Sequence, residues 1–539
     1  MNSPKRWWYM AWLLVICGFA GVHAINLRAD FPNNTAWFMD WAKYTDEGWY
    51  GNAAIRAHLL GHWYLPGDFN PAAAVPVWPF LEWVLFFFTG VTVQAARGLA
   101  VVFFFASLLL SYLLLRTRGP RWMALLALTF LVTSPFLYCF SRLAILEPML
   151  TALTLAALNI AVRLPGLRRP VLASAGIGLL FTLMMLTKTT AVFLFPAVAW
   201  GMVLPLWQRR GLLLRCASVA LGVFVVTQGL WFAWLAGLGL MGDYKFLFSV
   251  NQYPRPNELY WPLVSLWWSF HGGLWVDHIL IPLAGLVTAG AVLFWRRAWA
   301  RGLLLDPVFG ASALAVAGYI FFMTWQNHPQ PRYFAVVLFF CFFIVARGAH
   351  ALLAAAEPDG RDQGTARTFA NRAGWVVLAL AAIAVGMNGA LTLNYAAHPE
   401  YTFVNAAERL TRYIDEHPNG NRLLLSVSGD EIALVTHLQT INDLFNTPYG
   451  QMDDLATKVG YYQPGWYASW NVLDPGMLED IHSHYSVEQV ATFPAFDDPT
   501  RNVLVLFKLH PWPNGQVYDP ADENLRVRFP EDSFDVPLQ

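Results

Sequence analysis

Long apolar runs recur along the first three quarters of the chain, separated by short polar or basic stretches. A helix that spans a bilayer needs about 20 mostly apolar residues, and eleven runs come close enough to that length to be interpreted as crossings. They are 7–26, 98–115, 122–140, 148–162, 171–187, 191–207, 216–238, 278–295, 308–325, 333–347 and 374–391. The pattern predicts a polytopic α-helical membrane protein with about eleven transmembrane helices.

Another apolar run, residues 76–93, does not fit as a full crossing. It contains Pro76, Pro79 and Glu82, and counting it as a span would put the later arginine clusters outside the cell. We therefore predict a re-entrant or interfacial segment here. By the positive-inside rule, the N-terminus is then cytoplasmic and the C-terminal tail extracytoplasmic. The clusters assigned to the cytoplasm are Lys5/Arg6, Arg116/Arg118/Arg121, Arg163/Arg168/Arg169, Arg209/Arg210/Arg215, Arg296/Arg297/Arg301 and the stretch 347–372.

The first apolar run has a second interpretation. Residues 7–26 follow two basic residues and resemble a signal peptide that is cleaved near His23 and Ala24. The run is long for a signal peptide, and the loop after it carries the main motif described below. A retained helix is therefore favoured.

Charge divides the chain into two parts. From Tyr395 onward there are 8 Lys+Arg and 21 Asp+Glu, which gives a net charge of −13. The rest of the chain has 27 Lys+Arg and 14 Asp+Glu, which gives a net charge of +13. We expect residues 1–394 to form the transmembrane domain, with a first extracytoplasmic loop at 27–75. Residues 395–510 are expected to form a small soluble extracytoplasmic α/β domain, followed by a Pro/Asp-rich tail at 511–539.

The tail shows the periodicities of both helices and strands. Residues 402–417 predict an amphipathic helix, 423–427 a strand and 430–437 a helix start. Residues 487–493 and 502–509 predict a hairpin around Asp497-Asp498-Pro499. An aromatic run contains Tyr461, Tyr462, Trp466, Tyr467 and Trp470, and it suits either a domain core or contact with an acceptor or lipid.

Composition excludes several functional classes. The chain is 57% hydrophobic and 13% charged, whereas soluble proteins have about 25% charged residues. Neither half has a nucleic-acid-binding pattern, and no Walker loop, Rossmann glycine fingerprint or zinc-ligand spacing occurs. The four cysteines, Cys17, Cys139, Cys216 and Cys341, lie in apolar runs, so we interpret them as small buried hydrophobic residues.

The first candidate site follows the first helix, at Thr45-Asp46-Glu47-Gly48-Trp49-Tyr50. A carboxylate at a membrane surface can accept the proton of an attacking hydroxyl, and aromatic side chains such as Tyr50 can stack on sugars. Asp46 and Glu47 are therefore candidate catalytic residues. The structural alternative is a solvated loop with interfacial aromatic anchors.

Three further motifs supply charges at predicted helix ends. Arg142 and Glu147 flank a short turn, and Lys188 lies among hydroxyl residues at the outer end of a helix. The segment Asn327-His328-Pro329-Gln330-Pro331-Arg332-Tyr333 precedes another helix. Arginine and lysine are phosphate ligands, so Lys188, Arg332 and Arg142 are candidates for that role. Each also has a plain structural interpretation: Arg142 capping a helix end and pairing with Glu147, Lys188 reaching towards the interface, and His328 being incidental.

In the predicted topology these motifs face the same compartment, and in this order they resemble a known family. Asp46 to Tyr50, Ser141 to Pro148, Lys188-Thr189 and His328 to Tyr333 look like the GT-C glycosyltransferases of the protein O-mannosyltransferase and aminoarabinose (lipid A) transferase type. The resemblance covers roughly residues 1–350. It implies inverting sugar transfer from a polyprenyl-phosphate donor without a cofactor or divalent metal.

The resemblance also implies roles for individual residues. Asp46 would be the catalytic base with Glu47 beside it, and Lys188, Arg332 and Arg142 would bind the donor phosphate. The substrate-positioning candidates are Tyr50, Glu147, His328 and Tyr333. The expected partners are membrane lipids, the lipid-linked donor, and a glycan, lipid or protein acceptor, and the expected location is the bacterial inner (plasma) membrane.

One feature of the sequence departs from the lipid A transferases. They tend to carry a basic residue before a Pro-Pro pair after the first loop, whereas residues 69–76 here read Phe-Asn-Pro-Ala-Ala-Ala-Val-Pro. Lipid A is therefore not favoured as the acceptor over a protein or a polysaccharide. Two other functional classes remain open: a secondary transporter, although no internal repeat is found, and a non-catalytic membrane assembly protein.

Overall fold

Helices form at all eleven runs that were predicted to cross the membrane. The structure is a computed structural model that describes residues 3–30, 46–68, 70–247, 277–325, 330–355, 365–443, 455–470, 475–495 and 502–512. The helices of the first part are α1 (Ser3–Val22), α2 (Glu47–Leu59), α3 (Val77–Thr89), α4 (Val93–Leu115), α5 (Arg121–Thr133), α6 (Pro135–Phe140), α7 (Leu146–Arg163), α8 (Pro170–Thr187), α9 (Phe195–Leu206), α10 (Arg210–Leu238) and α11 (Met241–Lys245). They continue with α12 (Leu280–Leu293), α13 (Ala298–Leu304), α14 (Pro307–Trp325), α15 (Phe334–Ala354) and α16 (Thr365–Ala397).

Within the described part of the chain, eight helices are long and apolar enough to cross a membrane. A ninth is added if α12 and α13, which are bent by 114° at their junction, form one broken span. The apolar stretches of α1 and α5, Trp7–Val22 and Arg121–Thr133, are shorter than those of these eight helices. The predicted polytopic helical fold is therefore confirmed. The count of uninterrupted long spans is smaller than eleven because the apolar stretch of α1 is short, α5 stops before Pro135 and α12 stops before the bend.

Helix α3 does not cross the bundle. Its 13 residues extend about 20 Å at 1.5 Å per residue, less than the roughly 30 Å of a hydrocarbon core. The chain just before it is held by Trp231, whose Nε1 donates to the carbonyl oxygen of Ala73 at 3.0 Å. The chain just after it is held by His437, whose Nε2 hydrogen-bonds to the carbonyl oxygen of Val91. Segment 76–93 therefore lies along one end of the bundle, as predicted.

The C-terminal part is a five-stranded mixed sheet with helices packed on both faces. Its strands are β1 (Leu424–Ser426), β2 (Thr440–Ile441), β3 (Trp466–Trp470), β4 (Tyr485–Pro494) and β5 (Val503–Pro511). The order is β2-β1-β3-β5-β4, with β1 parallel to β2 and β3, and β5 antiparallel to β3 and β4. Its helices are α17 (Thr402–Glu416), α18 (Gly429–Thr436), α19 (Leu455–Tyr462) and α20 (Pro475–His482).

Side chains alternate between the two faces of each strand, so a small hydrophobic core lies on each face of the sheet. Leu424 and Trp466 pack on one face, with residues of α17, whereas Leu425 and Tyr467 pack on the other, with residues of α19 and α20. The helix predicted at 402–417, the strand at 423–427 and the hairpin are all present. The turn Asp497-Asp498-Pro499 lies outside the described residues.

The aromatic run divides between core and surface. Trp466, Tyr467 and Trp470 lie in β3 and are buried, so they are core residues and do not form an acceptor surface. Tyr461 is 63% exposed, and Tyr462 donates from its hydroxyl to the carbonyl oxygen of Pro66. The alternative of an ordinary core is therefore correct for three of these five residues.

A reporter fused after residue 450 is expected to lie on the extracytoplasmic side. Alkaline phosphatase, which is active only outside the cytoplasm, should be active there, because the basic clusters alternate with the helices only in this orientation. The matched control is the same enzyme inserted at the turn between α9 and α10, where Arg209 and Arg210 predict a cytoplasmic loop. Activity at that turn but not after residue 450 would reverse the predicted topology.

Candidate functional site

Four separate stretches of chain bring charged side chains together at one end of the bundle. Asp46 precedes α2, Glu147 lies in the first turn of α7, Lys188 follows α8 and Arg332 precedes α15. Nη1 of Arg332 lies 2.7 Å from Oδ2 of Asp46. Nζ of Lys188 lies 2.7 Å from Oε1 of Glu147, and Nε of Arg332 lies 3.9 Å from the same oxygen. We call these four residues the charged cluster.

The charged cluster is buried and electrically balanced. Glu147 is 0% exposed, and the other three residues are exposed by no more than 8%. Two cations face two carboxylates, and such pairing is what allows charges to remain ionised away from water. Within the described part of the chain, Oε2 of Glu147 has no hydrogen-bond partner. The cluster therefore offers two cationic groups and a carboxylate oxygen that is available as an acceptor.

Two tyrosines surround the lysine of the cluster. Nζ of Lys188 lies 5.3 Å from the ring centre of Tyr50 and 4.8 Å from that of Tyr333. The guanidinium carbon of Arg332 lies 5.4 Å from the Tyr333 ring. These are cation–π distances. Burial raises the pKa of Tyr50 well above its usual value, with the nearby Asp46 carboxylate adding to the shift, so the phenol stays protonated. The two rings thus form an aromatic wall beside both cations.

Glu47 is adjacent to the charged cluster in sequence but is engaged elsewhere. Its Oε1 accepts hydrogen bonds from Arg97 Nε at 2.7 Å and from the backbone N–H of Ala144 at 2.8 Å, and its Oε2 accepts one from Arg97 Nη2 at 2.6 Å. Both oxygens are therefore occupied in a buried ion pair. The side chain ties α2 to α4 and to the turn before α7, so the predicted catalytic role of Glu47 gains no support from this geometry.

The alternative in which Arg142 pairs with Glu147 is not seen among the described residues. Its Nη2 donates to the carbonyl oxygens of Ile25 at 2.7 Å and Asn26 at 2.6 Å, and its guanidinium stacks 4.5 Å from the Tyr138 ring centre. Among the described residues, Glu147 forms its ion pairs with Lys188 and Arg332. Arg142 thus binds two backbone carbonyl groups of the segment that follows α1, and its predicted role as a phosphate ligand gains no support from this position.

The remaining predicted residue, His328, lies outside the described residues. No group of three or more His, Cys, Asp or Glu side chains with a suitable arrangement occurs in the ranges that the structure describes. Independence from a metal therefore stays a prediction.

Sequence reasoning missed the contacts that the C-terminal sheet makes with α2. Nδ2 of Asn52 donates to Oδ2 of Asp430 at 2.6 Å. Arg56, which is 1% exposed, lies 3.5 Å from Asp430 and 2.5 Å from Asp68. Lys458 also pairs with Asp68. The available signal was Asp430 at the predicted helix start, three residues after a predicted strand, since ligands and partners collect at the carboxyl ends of parallel strands.

Comparison with known proteins supports the fold. No protein-family model matches the chain, and no curated protein sequence matches it. ArnT from Cupriavidus metallidurans in the apo state is similar over 94% of this chain and 98% of that chain, with a TM-score of 0.60 and 14% identity. The structure of ArnT bound to undecaprenyl phosphate is similar over 93% of this chain and 98% of that chain, with a TM-score of 0.58 and 15% identity.

A second protein shows a weaker likeness. The apo oligosaccharyltransferase of Archaeoglobus fulgidus is similar over 90% of this chain and 74% of that chain, with a TM-score of 0.51 and 13% identity. At such identities the likeness is one of fold. It confirms the GT-C fold that the sequence resemblance implied.

Proposed function

We propose that the chain is an inverting glycosyltransferase that moves a sugar from a polyprenyl-phosphate carrier to an extracytoplasmic acceptor. The observation that carries the proposal is the charged cluster, in which a carboxylate and two cations meet beside an aromatic wall. The cluster occurs in a fold shared with ArnT, which has been solved with undecaprenyl phosphate bound.

Lys188 and Arg332 are the proposed ligands of the donor phosphate. Both are buried cations, and a charge-assisted hydrogen bond from either to a phosphate oxygen is stronger than a neutral one. In the structure, Arg332 pairs with Asp46 and Lys188 pairs with Glu147. The cluster is neutral, so an added phosphate would give it a net negative charge. The phosphate therefore binds best when it replaces one of the carboxylates as the partner of a cation.

Asp46 is the proposed base, and the exchange of partners explains how it becomes available. When Arg332 turns to the phosphate, the Asp46 carboxylate is released from its 2.7 Å ion pair. The acceptor oxygen then attacks the anomeric carbon from the face opposite the phosphate. The bond between that carbon and the phosphate oxygen breaks, the phosphate leaves with the electron pair, and Asp46 takes the acceptor proton. Lys188 and Arg332 stabilise the charge on the leaving phosphate.

Four other residues are proposed to position the sugar. The rings of Tyr50 and Tyr333 flank the cations, and apolar ring faces suit the C–H faces of a sugar. Oε2 of Glu147 can accept a hydrogen bond from a sugar hydroxyl, since no described residue occupies it. His328 is retained as a proposed contact on sequence grounds alone. The acceptor is proposed to be a lipid, a protein or a polysaccharide.

Mass spectrometry of a strain that lacks the protein tests this function. We expect one polyprenyl-phosphate-linked sugar to accumulate and one surface glycan to disappear, because the donor is no longer consumed. Expression of the wild-type chain should restore both. An unchanged set of lipid-linked sugars and surface glycans would contradict the proposal and favour a transporter or an assembly role.

Deleting residues 395–539 is expected to abolish formation of the glycan. Arg56 is buried, and the deletion removes its partner Asp430 and the Lys458 that shares Asp68. Breaking a buried ion pair costs about 3–5 kcal/mol, so α2 should loosen and Asp46 should lose its position. The control is truncation after Trp512, which keeps all five strands. Full glycan formation by the longer deletion would show that the C-terminal sheet is dispensable.

A further inference from the structure

Arginines collect at the end of the bundle that lies opposite the charged cluster. Helix α8 joins the two ends: Lys188 directly follows its last residue, and its 18 residues extend about 27 Å at 1.5 Å per residue. The turns at its starting end contain eleven arginines and one acid, Asp306. That acid is paired with Arg347 at 2.7 Å. The turns are 116–121, 163–170, 207–210 and 294–307.

Two parallel helices begin side by side at this end. A Cβ atom at Gly178 of α8 would overlap the carbonyl oxygen of Ala220 in α10. One turn further along α8, the hydroxyl oxygens of Thr182 and Thr227 lie 2.5 Å apart. Both contacts advance in the same direction along the two helices, so the first turns of α8 and α10 are neighbours.

Four arginines surround the two helix starts, and we call them the arginine patch. Arg168 and Arg169 precede α8, Arg209 precedes α10, and Arg210 is its first residue. All four are exposed. Nη1 of Arg209 donates to the carbonyl oxygen of Pro165 at 3.3 Å, which ties the turn before α10 to the turn before α8. In the part of the chain that the structure describes, none of the four pairs with a carboxylate.

The electrostatics of the arginine patch favour a bound anion. Arg169 and Arg209 are the residues just before the two helices, with non-helical backbone angles, and neither side chain makes a capping hydrogen bond. Guanidinium groups have no acceptor atom that could do so. A helix start carries partial positive charge and attracts anions. Four cations beside two such starts repel one another unless an anion lies between them.

The surroundings of the arginine patch indicate a lipid. Leu172 and Leu214, in the first turns of α8 and α10, are 64% and 67% exposed, as expected for side chains that contact hydrocarbon. Trp207 is 59% exposed, and the guanidinium carbon of Arg210 lies 5.9 Å from its ring centre. Tryptophan is enriched where a membrane meets water. The arginine patch therefore lies at the depth of lipid headgroups.

We propose that the arginine patch binds the phosphate of an anionic phospholipid in the leaflet opposite the charged cluster. In the predicted topology this is the cytoplasmic leaflet, whose anionic lipids attract basic clusters at helix ends. The planar fork of an arginine side chain can hold two phosphate oxygens at once. The inference is independent of the proposed function, because no residue of the arginine patch belongs to the charged cluster.

The test compares the affinity of full-length wild-type protein and two triple variants for phosphatidylglycerol, by native mass spectrometry in detergent. The variants are Arg168→Gln/Arg169→Gln/Arg210→Gln and, as a matched control, Arg296→Gln/Arg297→Gln/Arg301→Gln. The control also removes three exposed arginines beside an exposed tryptophan, Trp295, at the same end. The helix that begins there, α13, has only 7 residues.

The patch variant should bind phosphatidylglycerol about tenfold or more weakly, because each arginine near an anionic surface strengthens binding about fivefold. The control variant should bind like the wild type, and inorganic phosphate at the same concentration should not displace the lipid. The proposal is overturned if the patch variant binds normally, or if the control variant loses as much affinity. Displacement by inorganic phosphate would also overturn it, by showing a site for soluble anions.

Thermal unfolding of the wild type provides a measurement that needs no variant. Phosphatidylglycerol should raise the Tm more than zwitterionic phosphatidylcholine does, because a ligand of the folded state stabilises it. Salt at about 1 M should remove the difference, since it screens exposed charges. Equal shifts with the two lipids would contradict the proposal.

Discussion

Replacing Asp46 with asparagine is expected to cut sugar transfer by about a hundredfold or more, the usual scale for the loss of a general base. Asparagine keeps the size of the side chain but does not take up the proton of the acceptor. Binding of undecaprenyl phosphate should be unchanged or tighter, because Arg332 loses the carboxylate that lies 2.7 Å away and competes with the phosphate. The measurements are glycan formation in cells and undecaprenyl phosphate binding by the purified protein.

The same substitution at Asp415 is the matched control. The Asp415 side chain is 50% exposed, and it pairs on the surface of α17 with Arg422. Its replacement by asparagine should leave both measurements at wild-type values, since surface ion pairs contribute little to stability. Normal glycan formation by Asp46→Asn in a folded protein would remove Asp46 as the base.

The parts of the site that depend on membrane crossing could be predicted from the sequence. A chain that alternates between two sides returns to the same side at every second helix end, so Lys188 and Arg332 were expected to share a compartment with Asp46. The structure goes further: Arg332 pairs with Asp46 and also approaches Glu147, and Glu147 pairs with Lys188. The fold could also be predicted, because apolar runs of about 20 residues are a strong signal for membrane-spanning helices. The alternation of apolar and polar residues in the tail is a clear signal for strands.

The parts of the site that depend on packing between distant segments could not be predicted. Glu47 looked like a partner of Asp46 because the two are adjacent, but its oxygens face Arg97, 50 residues away. Arg142 looked like the partner of Glu147 for the same reason, yet it binds carbonyl groups that follow α1. Local spacing does not encode such pairings, because they are fixed by how the helices pack against one another.

The position of the tail near the site could be predicted, but its contacts could not. An acidic α/β domain near the membrane site was expected, but the contact between Glu431 and Gly48 joins residues that no short motif connects. The aromatic run left two interpretations open. Trp466 and Tyr467 alternate between the two faces of a strand that is covered on both sides, so the interpretation as a core is correct for the residues of β3.

Removing either cation of the charged cluster is expected to weaken binding of undecaprenyl phosphate, in contrast to Asp46→Asn. Lys188→Ala and Arg332→Ala each remove a hydrogen bond to a charged group, which contributes about 1.5–3 kcal/mol, so affinity should fall roughly tenfold to a hundredfold. Lys188→Ala also leaves the fully buried Glu147 with only Arg332, at 3.9 Å, as an ion-pair partner among the described residues. Loss of stability is therefore a competing explanation for that variant.

The double variant Lys188→Met with Glu147→Gln separates the two explanations. It removes both charges of the 2.7 Å pair and leaves no carboxylate without a counter-ion, so the protein should fold with near-normal thermal stability. Binding of undecaprenyl phosphate should still fall, because the phosphate has lost a cation. Arg422→Ala, at a half-exposed surface position, is the control that should bind normally. If Arg332→Ala and the double variant both bind the carrier as tightly as the wild type, the two cations do not hold its phosphate.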